Sequence, residues 1–192
     1  MYVYLISAVA AVGGFLFGYD LSIVSAAVIF LKSQFSPITV QVGFAVSSAT
    51  IGCICGPLFG GMIVARIGRN KTLALTAAIY GIGAVGSALP SNMVEFDAFR
   101  ILGGVGVGIA SVVFLMYIAE VPPACMRGLL VTINQVAVVS GALSSIIVGY
   151  FLAASGNWRA MFASAAIPVL AIIDWTDLYS REPALVDGSR GR

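Results

Sequence analysis

Asp20 and Arg100 are the residues of this sequence whose chemistry is hardest to place. Asp20 closes the stretch GGFLFGYD inside an apolar run over residues 3–31, and Arg100 opens RILGG inside another over residues 96–119. An ionisable group within an apolar segment of membrane-spanning length is costly and points to function. Counted at about 1.5 Å per residue from the outer ends of their runs, the two lie at depths within about 10 Å, inside the reach of an arginine side chain. They are therefore expected to meet. Two roles are open for such a pair. It is a permanent clamp between two helices, or Asp20 takes and releases a proton while Arg100 competes for its charged form. In the second role protonation frees Arg100 and biases a conformational equilibrium.

Other polar residues raise smaller questions. Glu120 ends one apolar run, where a helix dipole is negative, and Arg127 begins the next, where it is positive. Each charge is on the unfavourable end. Both become reasonable if they bind each other or a third partner such as Arg66; otherwise they are solvated loop charges. Asn134 and Gln135 fall mid-run, where an amide needs a partner: a neighbouring helix or a hydroxylated ligand. Phe17, one turn before Asp20, reads on its own as core.

These residues must be positioned by elements built for lipid. The chain is 60% hydrophobic and 9% charged, with a mean hydropathy of +1.04, whereas soluble domains are about 25% charged. A formal charge of +2 gives no footprint for a nucleic-acid partner. The absence of histidine removes Ser-His-Asp triads, His-containing zinc sites and imidazole relays. No nucleophile-and-base constellation is visible, so an enzyme is not expected, nor is a metal site. Cys53 and Cys55, two apart, point to nearly opposite sides of a helix and with Cys125 suggest no disulfide framework. GGVGVG at 103–108 fails the G-x-G-x-x-G spacing of a nucleotide loop; glycine at this density lets helices approach closely in a bilayer. The N-terminal run lacks a basic n-region and is too long for a cleavable signal peptide.

Six apolar runs of spanning length are expected at 3–31, 38–65, 72–89, 96–119, 128–154 and 158–173. Short polar connections separate them, so neighbours should be antiparallel. With the N-terminus inside, Arg66, Arg69, Lys71, Arg127, Arg181, Arg190 and Arg192 all face the cytoplasm and only Lys32 and Arg159 lie in outside loops. That bias fits the positive-inside rule. The chain also resembles itself: GGFLFG at 13–18 matches GGVGVG at 103–108, GMIVARIGRNK at 61–71 matches GYFLAASGNWR at 149–159, and Pro37 matches Pro123. Three matches in register argue against chance in a glycine-rich chain. The fold class expected is all-α and membrane-embedded, with six helices arranged as two inverted three-helix repeats, a signature of secondary transporters.

Taken in order, GGFLFGYD, GRNK, RILGGVGVG, YIAEVPPACMRG, NQ and NWRAMF resemble the successive signatures of the sugar porter family of the major facilitator superfamily. The resemblance covers nearly all of residues 3–173. It implies the N-terminal six-helix domain of a twelve-helix transporter, with residues 174–192 forming a polar cytoplasmic tail atypical of the family. It also implies roles. Asp20 takes the proton-coupling position, where facilitators often carry asparagine, and Arg100 is its partner. Gln135 and Phe17 occupy sugar-contacting positions. Arg66, Gly68, Arg69, Glu120 and Arg127 match the cytoplasmic charge network that latches the outward-facing state.

The resemblance implies a sugar or polyol transporter of the plasma membrane, both termini cytoplasmic. A proton is its coupling ion, and no cofactor is expected. This sequence departs from the family at several points. Ala65 stands where an acid usually precedes the first arginine of G-x-x-x-D-R-x-G-R, which removes one latch contact, and Leu115 stands where proline is common. The family's second half, which supplies most polar sugar contacts, would be a missing C-terminal six-helix half or another chain. The rival expectation is a truncated, non-transporting membrane protein that acts as a partner subunit or carries nothing.

Overall fold

The computed structural model describes residues 2–35, 39–120, 123–153 and 158–165, and all of its regular structure there is helical. The elements are α1 (Tyr2–Phe35), α2 (Thr39–Ile67), α3 (Arg69–Ala88), α4 (Met93–Glu120), α5 (Ala124–Ala153) and α6 (Trp158–Ser164). Their order follows the six expected runs. Within α1, α2, α4 and α5, the segments Ala11–Lys32, Val40–Ile67, Met93–Met116 and Cys125–Ala153 are long and apolar enough to cross a bilayer.

The other two expected spans differ. Residues 72–89 do form a helix of about the length that crosses hydrocarbon, but α3 is less apolar than the other four. Its polar groups point inward: Thr72, Thr76, Tyr80 and Ser87 are all buried. The hydroxyls of Thr76 and Ser87 each donate to a carbonyl of α3 one turn back, and that of Thr72 donates to the carbonyl of Gly68 just before the helix, so α3 needs no water to satisfy them. Of the expected sixth span at 158–173, only the first part falls within the described residues. The proposed tail at 174–192 lies outside them.

Local chemistry explains the turns. Between α2 and α3 the chain reverses at Gly68, whose φ of 82° is open to glycine at little cost. Its N–H donates to the Val64 carbonyl at 3.0 Å, and its own carbonyl accepts from the Thr72 N–H at 3.1 Å. Between α3 and α4 the turn holds Pro90, Ser91 and Asn92. The Ser91 N–H donates to the Glu95 carboxylate at 3.0 Å, which sets an acid in the first turn of α4, where the dipole favours it.

Helix pairing is dominated by α2 on α4, α1 on α5 and α3 on α4. Glycine makes the first two interfaces close. A Cβ at Gly52 would overlap the Ile101 carbonyl and one at Gly104 the Ala49 carbonyl, while Gly18 stands in the same relation to Val138 and Gly141 to Phe15. Backbone meets backbone, as expected where packing rather than water exclusion drives association. The buried core joins Leu16, Tyr19 and Ile23 of α1 to Phe96, Trp158 and Phe162. Large apolar side chains such as Leu58, Phe59, Val139, Leu143 and Phe151 cover the outer faces of α2 and α5.

Candidate functional site

α1 carries Asp20 and α4 carries Arg100 to a common point in the interior. The Nη1 of Arg100 donates to Asp20 Oδ1 at 2.6 Å, and its Nη2 reaches the Asp20 main-chain carbonyl at 3.4 Å. Asp20 is 3% exposed and Arg100 4%. The pairing expected from their depths is therefore present. Buried ion pairs persist where hydrogen bonds support them, and here the carboxylate gains a second contact: Tyr80 of α3 donates to the same Oδ1 at 3.3 Å.

Phe162 of α6 completes the surroundings, its ring centroid 5.4 Å from Arg100 Cζ. The guanidinium thus lies between a carboxylate and an aromatic face. Tyr19, beside Asp20 in sequence, is turned toward α6, where its hydroxyl shares a hydrogen bond of 2.7 Å with Ser164.

A cavity of about 370 Å³ opens next to this centre. Phe17 and Gly14 line it from α1, Cys53 from α2, Tyr80 from α3, and Asn134 and Gln135 from α5. Phe17 is half-buried and Gln135 exposed, so both remain available to a ligand. Asn134 sits against Gly14, and its Oδ1 is buried with no hydrogen-bond partner among the described residues. The arrangement suits a neutral polyhydroxylated molecule: an aromatic face for its C–H surface, and amides that both donate and accept.

Tyr80 was missed in the sequence. It lines the cavity and hydrogen-bonds Asp20, so it joins the two. A single tyrosine within the least apolar of the long helices was the available signal. Asp97, one turn before Arg100, was also missed; it is half-buried, with Oδ1 unpartnered among the described residues.

The expected cytoplasmic cluster is only partly described. Arg66 is exposed at the end of α2, Gly68 makes the turn, Arg69 is half-buried at the start of α3, and Arg127 is exposed in the first turns of α5. Arg69 and Arg127 are both engaged with neighbours. Glu120 ends α4, but its side chain lies outside the described residues, so its expected partnership with Arg127 does too.

Comparison with known proteins places this geometry. The family model described as sugar (and other) transporter matches residues 6–176. The D-xylose-proton symporter of Escherichia coli K12 is 40% identical over 206 residues, with 90% of this chain and 42% of the symporter covered. The glucose transport protein of Synechocystis is 41% identical over 182 residues, with 88% of this chain and 39% of that protein covered. Among solved structures, the proton:xylose symporter XylE bound to 6-bromo-6-deoxy-D-glucose superposes with a TM-score of 0.86 at 37% identity, over 92% of this chain and 44% of that one. The chain spans less than half the length of these relatives.

Proposed function

Since this chain belongs to the sugar porter family of the major facilitator superfamily, a family of integral membrane transporters rather than enzymes, we propose that it forms the N-terminal six-helix half of a proton-coupled symporter for a sugar or related polyol. Asp20 accepts the coupling proton, Arg100 competes for the carboxylate, and Phe17 and Gln135 contact the sugar. The reading is carried by one observation: the Asp20–Arg100 pair, closed at 2.6 Å, stands beside a cavity that contains Phe17 and Gln135, with Tyr80 touching both.

The physical logic is an exchange of partners. With Asp20 ionised, the pair ties α1 to α4, and separating the two charges in hydrocarbon is costly. A proton on Asp20 removes the carboxylate charge, loosens the tie and lowers the cost of moving the two helices apart. Sugar in the adjacent cavity biases the same movement through Tyr80 and the α1–α5 contact at Gly18. Each ligand then shifts the equilibrium by the difference in its affinity for the two states, and the coupling is reciprocal.

The inverted repeat belongs to the same reading. Exchanging α1 with α4 and α2 with α5 turns the α2–α4 interface into the α5–α1 interface, and each is closed by a glycine from either helix, Gly52 against Ile101 and Gly104 against Ala49 in one, Gly141 against Phe15 and Gly18 against Val138 in the other. This supports two three-helix units of opposite orientation. The basic residues Arg66, Arg69, Lys71 and Arg127 support a cytoplasmic N-terminus. On that side Arg66, Gly68, Arg69 and Arg127 form a latch, with Glu120 as its acid, against a second six-helix half or another chain.

In a complete transporter carrying this half, Asp20→Asn is expected to abolish proton-driven accumulation of sugar while downhill exchange continues. Uphill uptake by that variant at the parent rate would refute the coupling role.

A further inference from the structure

Arg100 lies between partners of different kinds. The Asp20 carboxylate is 2.6 Å away, the Asp20 main-chain carbonyl 3.4 Å, and the Phe162 ring centroid 5.4 Å. Of these, only the carboxylate has a charge that a proton can remove. A guanidinium left without a counter-charge in such surroundings is costly. An aromatic face attracts a cation, the more strongly where water is excluded.

Phe162 is well held for that task. It meets Phe96 edge-on at 5.2 Å and 70° and Trp158 at 6.3 Å and 78°, and those two rings meet each other at 6.3 Å and 77°. All of these rings are buried. The cluster joins α4 to α6, and the ring that faces Arg100 is carried by α6 rather than by α1, the helix that carries Asp20.

We propose that the Phe162 ring, with the Asp20 carbonyl, forms a second seat for the Arg100 guanidinium, holding its charge while the Asp20 carboxyl is protonated; Phe162 is thereby a positioning residue for proton coupling. The inference rests on the reading of Asp20 as the proton acceptor. The ring acts unequally on the two states. Beside an ionised Asp20 it faces a nearly neutral ion pair, whereas beside a protonated Asp20 it faces an uncompensated cation. Weakening the ring's negative face therefore penalises the protonated state more, and protonation then requires a lower pH.

The groups around Asp20 that could confuse this effect are identifiable. Arg100 comes from α4, Tyr80 from α3, Tyr19 from α1 itself and Cys53 from α2. Asp97 lies one turn before Arg100 on α4, and Arg159 of α6 sits 5.3 Å from the Trp158 ring. All are left untouched when only the ring electronics of Phe162 change.

The test uses the complete transporter carrying this half, in lipid nanodiscs. Infrared difference spectra are recorded across pH, and the protonated carboxyl band of Asp20 is assigned by its loss in Asp20→Asn. Phe162 is then replaced by mono-, di- and trifluorinated phenylalanine, which keep its shape while draining the ring face. The expected result is a stepwise fall in the pH midpoint of the band, reaching about one unit in the trifluorinated protein. Phe162→Leu should shift it in the same direction, and the fluorinated series carries the test should that variant fail to fold. A band with one midpoint across the series overturns the second seat and leaves Asp20 as proton acceptor. The absence of any Asp20 band across pH overturns both.

Discussion

The Asp20–Arg100 centre and the cavity beside it are built on opposite principles. Around the charge pair, Tyr80, the Asp20 carbonyl and the Phe162 ring meet two side chains that are almost fully buried, with Arg100 Nε left without a hydrogen bond among the described residues. The cavity is unfinished. Gln135 is exposed, Phe17 half-covered, and the Asn134 carbonyl oxygen has no hydrogen bond among the described residues. A charge in a low-dielectric interior needs an opposite charge and hydrogen bonds close by. A site that a neutral solute must enter and leave keeps polar groups unsaturated, so that the ligand can satisfy them. A buried charge pair and an open pocket therefore share one wall, and Tyr80 belongs to both.

The largest way to break this comparison is to leave one charge alone. Arg100→Leu should cost about 3–5 kcal/mol of stability, read by thermal unfolding in nanodiscs, and Asp20→Leu added to it should restore much of the loss. A single variant as stable as the parent would mean that the centre is not closed. Next is the α1–α5 contact beneath the cavity. Gly18→Leu forces a side chain against the Val138 carbonyl and should cost about 1–3 kcal/mol by overpacking, with sugar binding weakened alongside stability.

Gln135→Ala should behave in the opposite way. Its stability change should stay within about 0.5 kcal/mol because the side chain is exposed. In the complete transporter it should weaken sugar binding by about tenfold, through one lost hydrogen-bonding group, as measured by equilibrium binding. A destabilised protein with unchanged affinity would reverse the assignment of the two regions. The smallest effect sharpens the shared wall. Tyr80→Phe removes a hydrogen bond of 3.3 Å and should cost about 0.6 kcal/mol, near the average for such bonds between membrane helices. It should also alter the pH dependence and the sugar affinity together, whereas Gln135→Ala alters affinity alone.

How much of this was legible depended on how far each signal extends along the chain. Asp20 and Arg100 stood out because a charge in an apolar run is locally anomalous, and their depths could be counted from the ends of their own helices. Tyr80 and Phe162 carried no such signal. A tyrosine or phenylalanine is at home in any apolar helix, and only its azimuth relative to a neighbouring helix makes it a partner of Asp20 or Arg100. Residues 72–89 illustrate the same limit. Their threonines lowered the apolar count of α3, yet in the folded protein Thr72 and Thr76 are buried and their hydroxyls are bonded to main-chain carbonyls one turn back.

Composition and the spacing of breakers determined that this chain lives in lipid, how its long helices are ordered, and that two charges within them required each other. Those are properties of the covalent chain, set by residue type and by the fixed rise of a helix. The tertiary structure decided which faces turn inward. The rotation of each helix about its axis costs nothing in sequence terms and is set only when glycine ridges such as Gly18 and Gly104 find the backbones that they fit. That rotation brought Tyr80 to the carboxylate, Phe162 to the guanidinium and Gln135 to the open cavity.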